Sequence, residues 1–167
     1  MRPLIVWVVL TFAAAGSAGA EPGACDGAPF RAFDFWVGEW LVRLPDGTPA
    51  GTNRITVDQG GCVLIERWLG ASGTTGTSIS HHDPATGRWH QHWVSPDTLI
   101  ELEGVVVDGT LAMEGSIVYI ASAEKLAFRG SWTPLADGRV RQRFDEQRDG
   151  SWQPWFEGYY ERITVSR

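Results

Sequence analysis

Five side chains in this sequence have the type and spacing to hold a small molecule: Glu66, Trp68, Gln91, Trp93 and Gln142. Each sits where apolar and polar residues alternate, the period of a β-strand whose two faces meet different surroundings. Alternation puts Glu66 on one face with Cys62, Leu64 and Trp68, pointing inward. A carboxylate among tryptophans is costly to ionise unless it is paired. It would serve as a ligand anchor, or as an acid/base group with a raised pKa. The expectation is blander: a structural ion pair with Arg129, Arg141 or Arg143. Gln91 lies between Trp89 and Trp93, and Gln142 between Val140 and Phe144. Inward amides in such company orient a bound molecule, or bond each other or a buried water.

His90-Gln91-His92 places two imidazoles on one face of a strand, a spacing that suits a metal ion. Alternation turns that face outward, and the other histidines, His81 and His82, precede a turn. Two imidazoles without a third ligand fall short of a usual metal set, so no metal ligand is assigned. The chain has no Gly-x-Ser-x-Gly elbow, His-Glu-x-x-His, Cys-x-x-Cys, phosphate loop or dinucleotide fingerprint. No catalytic residue and no cofactor is assigned. The enzymatic alternative is a barrel isomerase or hydrolase using Glu66 as acid or base.

The elements that would position these groups follow from the turn signals. Pro45-Asp46-Gly47, Gly60-Gly61, the 70–76 stretch, Asp83-Pro84, Ser95-Pro96-Asp97, Asp108-Gly109, the 121–124 stretch, Ala136-Asp137-Gly138 and Asp149-Gly150 mostly recur about every dozen residues. They predict ten strands near 38–44, 53–58, 62–68, 77–83, 88–94, 99–107, 110–118, 125–133, 139–146 and 152–164. Short connections imply an antiparallel meander, and closure removes its two edges. The expected fold is therefore all-β: an antiparallel up-and-down barrel of about ten strands, with a two-sheet sandwich as the alternative.

The inner lining is expected to include Trp40, Val42, Ile55, Val57, Ile100, Leu102, Leu111, Met113, Leu126, Phe128, Trp132 and Phe144. In the last strand, Trp155, Glu157 and Tyr159 compete with Phe156, Gly158 and Tyr160 for that face. Turn counting separates a tightly connected end, plugged by the aromatic stretch 33–36, from a looser rim. The plug and first strand, Phe33-Asp34-Phe35-Trp36-Val37-Gly38-Glu39-Trp40, would form the structural floor.

The first twenty residues read as a secretory signal: Arg2, an apolar run, and Ala18-Gly19-Ala20 as a small-residue cut site. A lipid-acceptor role for Cys25 is the alternative, and Glu21-Pro22 interrupts the apolar approach it needs. Residues 21–32 are expected to be a tail and 33–167 one domain. Cleavage after Ala20 leaves 167 − 20 = 147 residues, enough for a real core. Both cysteines, Cys25 and Cys62, remain in an oxidising periplasmic or secreted setting and predict a disulfide. Net charge is −6 with the leader and −7 without Arg2, an acidic balance that argues against nucleic acid as a partner. No membrane span is expected in the mature chain. The expected partner is a small apolar or amphipathic molecule.

Gly38-Glu39-Trp40 after a short aromatic turn resembles the Gly-x-Trp signature that opens lipocalin barrels. The stretch 33–40, Gly61-Cys62 with Glu66 and Trp68, Trp89 to Val94, Asp149 to Trp152 and Phe156 to Tyr159 resemble an uncharacterised group of secreted bacterial lipocalin-like (calycin-type) proteins. The resemblance implies a lipocalin-like barrel. It also implies a floor in which Arg162, from the far end of the chain, packs over Trp40 beside Trp36. It further admits a haem-binding alternative through one His. It transfers no activity.

Overall fold

The computed structural model of the protein describes residues 23–163. The expected leader, 1–20, and Thr164, at the end of the expected last strand, lie outside them. The strands are β1 Gly38–Arg43, β2 Pro49–Asp58, β3 Val63–Gly70, β4 Thr75–Asp83 and β5 Arg88–Val94, then β6 Thr98–Val107, β7 Thr110–Tyr119, β8 Glu124–Pro134, β9 Val140–Arg148 and β10 Ser151–Arg162. Each pairs antiparallel with its neighbour in sequence, and β1 closes on β10 by pairing Trp40 with Arg162 and Val42 with Tyr160. The all-β, ten-stranded up-and-down barrel expected from the turn rhythm is the observed fold. Closure satisfies the backbone donors and acceptors that a ten-stranded meander would leave bare at its edges.

Alternation does the sorting. Along β6, Thr98, Ile100, Leu102 and Gly104 are buried while the residues between them face out. Val57 departs from the expected lining: it has the inward phase but is 41% exposed, one residue before β2 ends. Leu126 is only half-buried, near the start of β8.

Two expectations about connections are corrected. The rim is not looser than the floor, because connections of two to five residues join the strands at both ends. Glycine and threonine near the rim have turn composition, yet they continue the ladder. Gly51 pairs with Gly70, and Leu69 with Thr75. The 21–32 tail also contains an element, a single helical turn α1, Ala28–Arg31, started by Pro29.

A 3-10 turn, Asp34–Trp36, drops the plug into the barrel. Phe33 and Trp36 are fully buried and stacked at 4.9 Å, and both rings meet Trp132 edge-on at 5.5 and 5.8 Å. Trp40 Nε1 donates to the Trp36 carbonyl at 2.9 Å. Arg162 lies 4.3 Å over the Trp40 ring and donates Nη1 to the Val37 carbonyl at 3.0 Å. One guanidinium thus covers an aromatic face and caps an exposed carbonyl of the plug.

Cys25 and Cys62 form a disulfide with Cα atoms 5.0 Å apart. Cys62 itself lies in the turn before β3 rather than within the strand. Arg31 donates to the Gly61 carbonyl beside it, so the N-terminal segment is held to the wall twice.

Candidate functional site

At the end opposite the plug the barrel holds a pocket of about 120 Å³. Its base carries the polar groups Glu66, Gln142 and Tyr160, and its walls are Trp68, Trp93, Phe144, Trp155, Phe156 and Ile100. Four of the five residues singled out in the sequence therefore meet there. Gln91 is not among the lining residues; it is buried, donating Nε2 to Ser80 Oγ at 3.2 Å and to Ser78 Oγ at 3.4 Å.

Glu66 is on β3, opposite Ile55 of β2 and Ser78 of β4. The expected ion pair is absent. Arg129, Arg141 and Arg143 have the opposite phase to Phe128, Gln142 and Phe144, so they face outward. There Arg129 and Arg143 pair with Asp145, and Arg141 and Arg143 with Glu157. Glu66 instead accepts 2.7 Å from Asn53 Nδ2 on Oε1 and 2.6 Å from Ser78 Oγ on Oε2. Burial pushes its pKa up to about 7, and the two hydrogen bonds, which favour the carboxylate, only partly offset that.

The second amide proton of Asn53 reaches Tyr160 Oη at 3.3 Å, and Tyr160 Oη donates to Gln142 Oε1 at 2.5 Å. Gln91 and Gln142 therefore do not bond each other; each is fixed by hydroxyl groups. Tyr160 stays a neutral phenol, its pKa raised well above the usual value by burial and then by the Glu66 charge.

Sequence reasoning missed Asn53 and Ser78 as partners of Glu66, and Tyr160 as the partner of Asn53 and Gln142. A signal existed for the first: Asn53 stands two residues before inward Ile55, so alternation alone points it inward. The competition within the last strand resolves as a bulge. Pairing with β9 shifts by one between Pro154 and Phe156, leaving Trp155 as the extra residue. Phe156, Gly158 and Tyr160 hold the inner face, Glu157 turns outward to Arg141, and the bulge swings Trp155 inward as well. Trp155 packs edge-on to Phe128 at 5.3 Å, and its Nε1 donates to Tyr119 Oη at 3.0 Å. Tyr119 in turn donates to Glu146 at 2.5 Å. Two adjacent aromatic residues thus line one wall, which strict alternation forbids.

Glycine makes room for two of the walls. A Cβ at Gly76 would lie 2.0 Å from Trp93 Cζ2, and one at Gly130 would lie 2.4 Å from Phe144 Cε1. Both rings lie over bare backbone.

His90 and His92 are on the outer face, near Glu103 and Glu101. His81 stacks on His90 at 5.3 Å. Among the described residues, no three His, Cys, Asp or Glu side chains are grouped to hold a metal ion. Among them, too, no helix is long and apolar enough to cross a membrane.

The fold and the pocket define a closed antiparallel barrel, plugged at one end and open at the other to an aromatic well with one buried carboxylate. No protein-family model matches the sequence, and no curated protein matches it.

Proposed function

We propose that the protein is a lipocalin-like binding barrel that carries one small, largely apolar or amphipathic molecule in the pocket beneath Trp68 and Trp93. The observation that supports this is the pocket itself: about 120 Å³, aromatic on nearly every side, with a few fixed polar groups at one end. Such walls with sparse, oriented polar groups are what small-molecule sites have in common. The space equals roughly four water molecules, and the open mouth lets a longer ligand extend outward. Trp68, Trp93 and Phe156 would supply contact area, Gln142 and Glu66 orientation. Gln91, buried behind Ser78, would act by fixing that hydroxyl. The Cys25–Cys62 disulfide supports an oxidising, periplasmic or secreted location after removal of 1–20, and it occupies the one cysteine a lipid anchor would need.

The test is extraction of the natively expressed protein followed by mass spectrometry, with tryptophan fluorescence to follow rebinding. A compound recovered in stoichiometric amount, which rebinds and is lost on Trp93→Ala, supports the reading. Recovery of no compound, together with no fluorescence response to small apolar probes, would refute it.

A further inference from the structure

The polar end of the pocket has an unusual balance of donors and acceptors. Asn53 Nδ2 can only donate, so Glu66 Oε1, 2.7 Å away, must accept. Gln91 Nε2 also can only donate, and it approaches Ser78 Oγ at 3.4 Å, which turns the serine proton toward Glu66 Oε2 at 2.6 Å. Both carboxylate oxygens are thus held as acceptors, the arrangement that suits an anion. Yet among the described residues no cationic side chain pairs with Glu66; Arg129, Arg141 and Arg143 are paired on the outside of the barrel. Asn53 Oδ1, beside it, is buried with no donor.

The groups packed around Glu66 add no charge. Asn53 comes from β2, Ser78 from β4, and Trp93 and Gln91 from β5, all neutral. Among the described residues the titratable neighbour is Tyr160 from β10, and it stays protonated. Glu146 and Arg148, farther along β9, pair with each other. The walls above the carboxylate are mostly aromatic: Trp68, Trp93, Trp155, Phe144 and Phe156. Aromatic faces attract cations, and most strongly where water is excluded. A buried carboxylate without a cationic partner, in a pocket lined by aromatic side chains, has one natural complement.

Resting on the binding reading above, we infer that the ligand is an organic ammonium ion, its charged nitrogen against Glu66 and its apolar part among the tryptophans. An aliphatic alcohol or acid of the same length would lack that charge or repel the carboxylate. No covalent step is involved.

The experiment compares n-butylammonium, n-butanol and butyrate as probes of the disulfide-intact protein, by calorimetry and tryptophan fluorescence at pH 8. Butylammonium is expected to bind about ten-fold tighter than butanol or better, and butyrate to bind weakest. Glu66→Gln should abolish the preference for butylammonium over butanol, with far-UV circular dichroism and a cooperative urea transition showing that the variant is folded. Lowering the pH to about 5.5 should weaken butylammonium alone, because a protonated Glu66 no longer offers a charge. Butanol or butyrate binding as tightly as butylammonium would overturn the inference and leave the pocket reading standing. A preference for butylammonium that survives in Glu66→Gln would overturn the role of Glu66. Failure of all three probes to bind would overturn the pocket reading as well.

Discussion

Ser78 Oγ and Glu66 Oε2 stand 2.6 Å apart across the β3–β4 ladder, buried, with a hydroxyl in the place where an arginine was expected. A neutral partner stabilises a charge without cancelling it. The carboxylate therefore keeps its affinity for a proton, and its effect on stability runs opposite to that of an ion-paired acid.

Glu66 should make the protein less stable as pH rises. Its folded pKa is raised to about 7 from an ordinary 4.5, so between those values the native state binds more protons than the unfolded chain. Its contribution is fully present below about 4.5 and is lost as pH rises through about 7, a change on the order of 3 kcal/mol. His81 acts the other way, since burial lowers its pKa, so the difference between variants is the clean measurement. Urea unfolding from pH 5 to 8 should show Glu66→Gln gaining stability relative to the parent as pH rises. A constant difference across that range would contradict the assignment.

Trp40 should matter to the fold before it matters to any ligand. It is fully buried, bonded to the plug and covered by Arg162. Trp40→Ala is expected to cost about 3–5 kcal/mol, and Arg162→Ala about 1 kcal/mol. Denaturant unfolding gives both values, and equal losses would mean that the cation over the ring matters to the floor as much as the buried indole does.

Reducing the disulfide should lower stability without reshaping the pocket. It closes a separation of 37 residues, which corresponds to about 4 kcal/mol in the unfolded chain. Cys25→Ser with Cys62→Ser should lower the free energy of unfolding, measured by urea titration, by about that amount. Butanol binding by the folded variant should be unchanged, because the bridge and the pocket lie at opposite ends of the barrel.

Gly76→Ala should act on the pocket through Trp93. The new methyl would fall 2.0 Å from the indole, so the ring must leave its place or the strands must part. Overpacking of this kind costs about 1–3 kcal/mol. Near-UV circular dichroism and the Trp emission maximum should both change, which a purely local backbone effect would not produce.

Strand number, order and closure were legible in the sequence because turn residues recur at a steady interval and the inner positions alternate. The inward direction of Glu66 was legible for the same reason. Its partners were not, since they depend on cross-strand register: nothing in a single chain reveals that Ser78 falls opposite residue 66. The role of Trp155 was hidden for a different cause. A one-residue bulge changes the phase of a strand, and with apolar residues at 155 and 156 either phase looks acceptable. The length of the rim connections was not legible, because Gly70 and Thr75 have turn composition yet pair in the ladder.

The plug of Phe33 and Trp36 makes this barrel a cup rather than a pipe. Whatever occupies it enters and leaves through one mouth, and passes Trp68, Phe156 and Trp155 both ways. Residence time is then set at the lip and depth at the base. The two can be tuned separately: changes around Trp155 should alter how fast a molecule exchanges, while changes around Glu66 should alter which molecule stays.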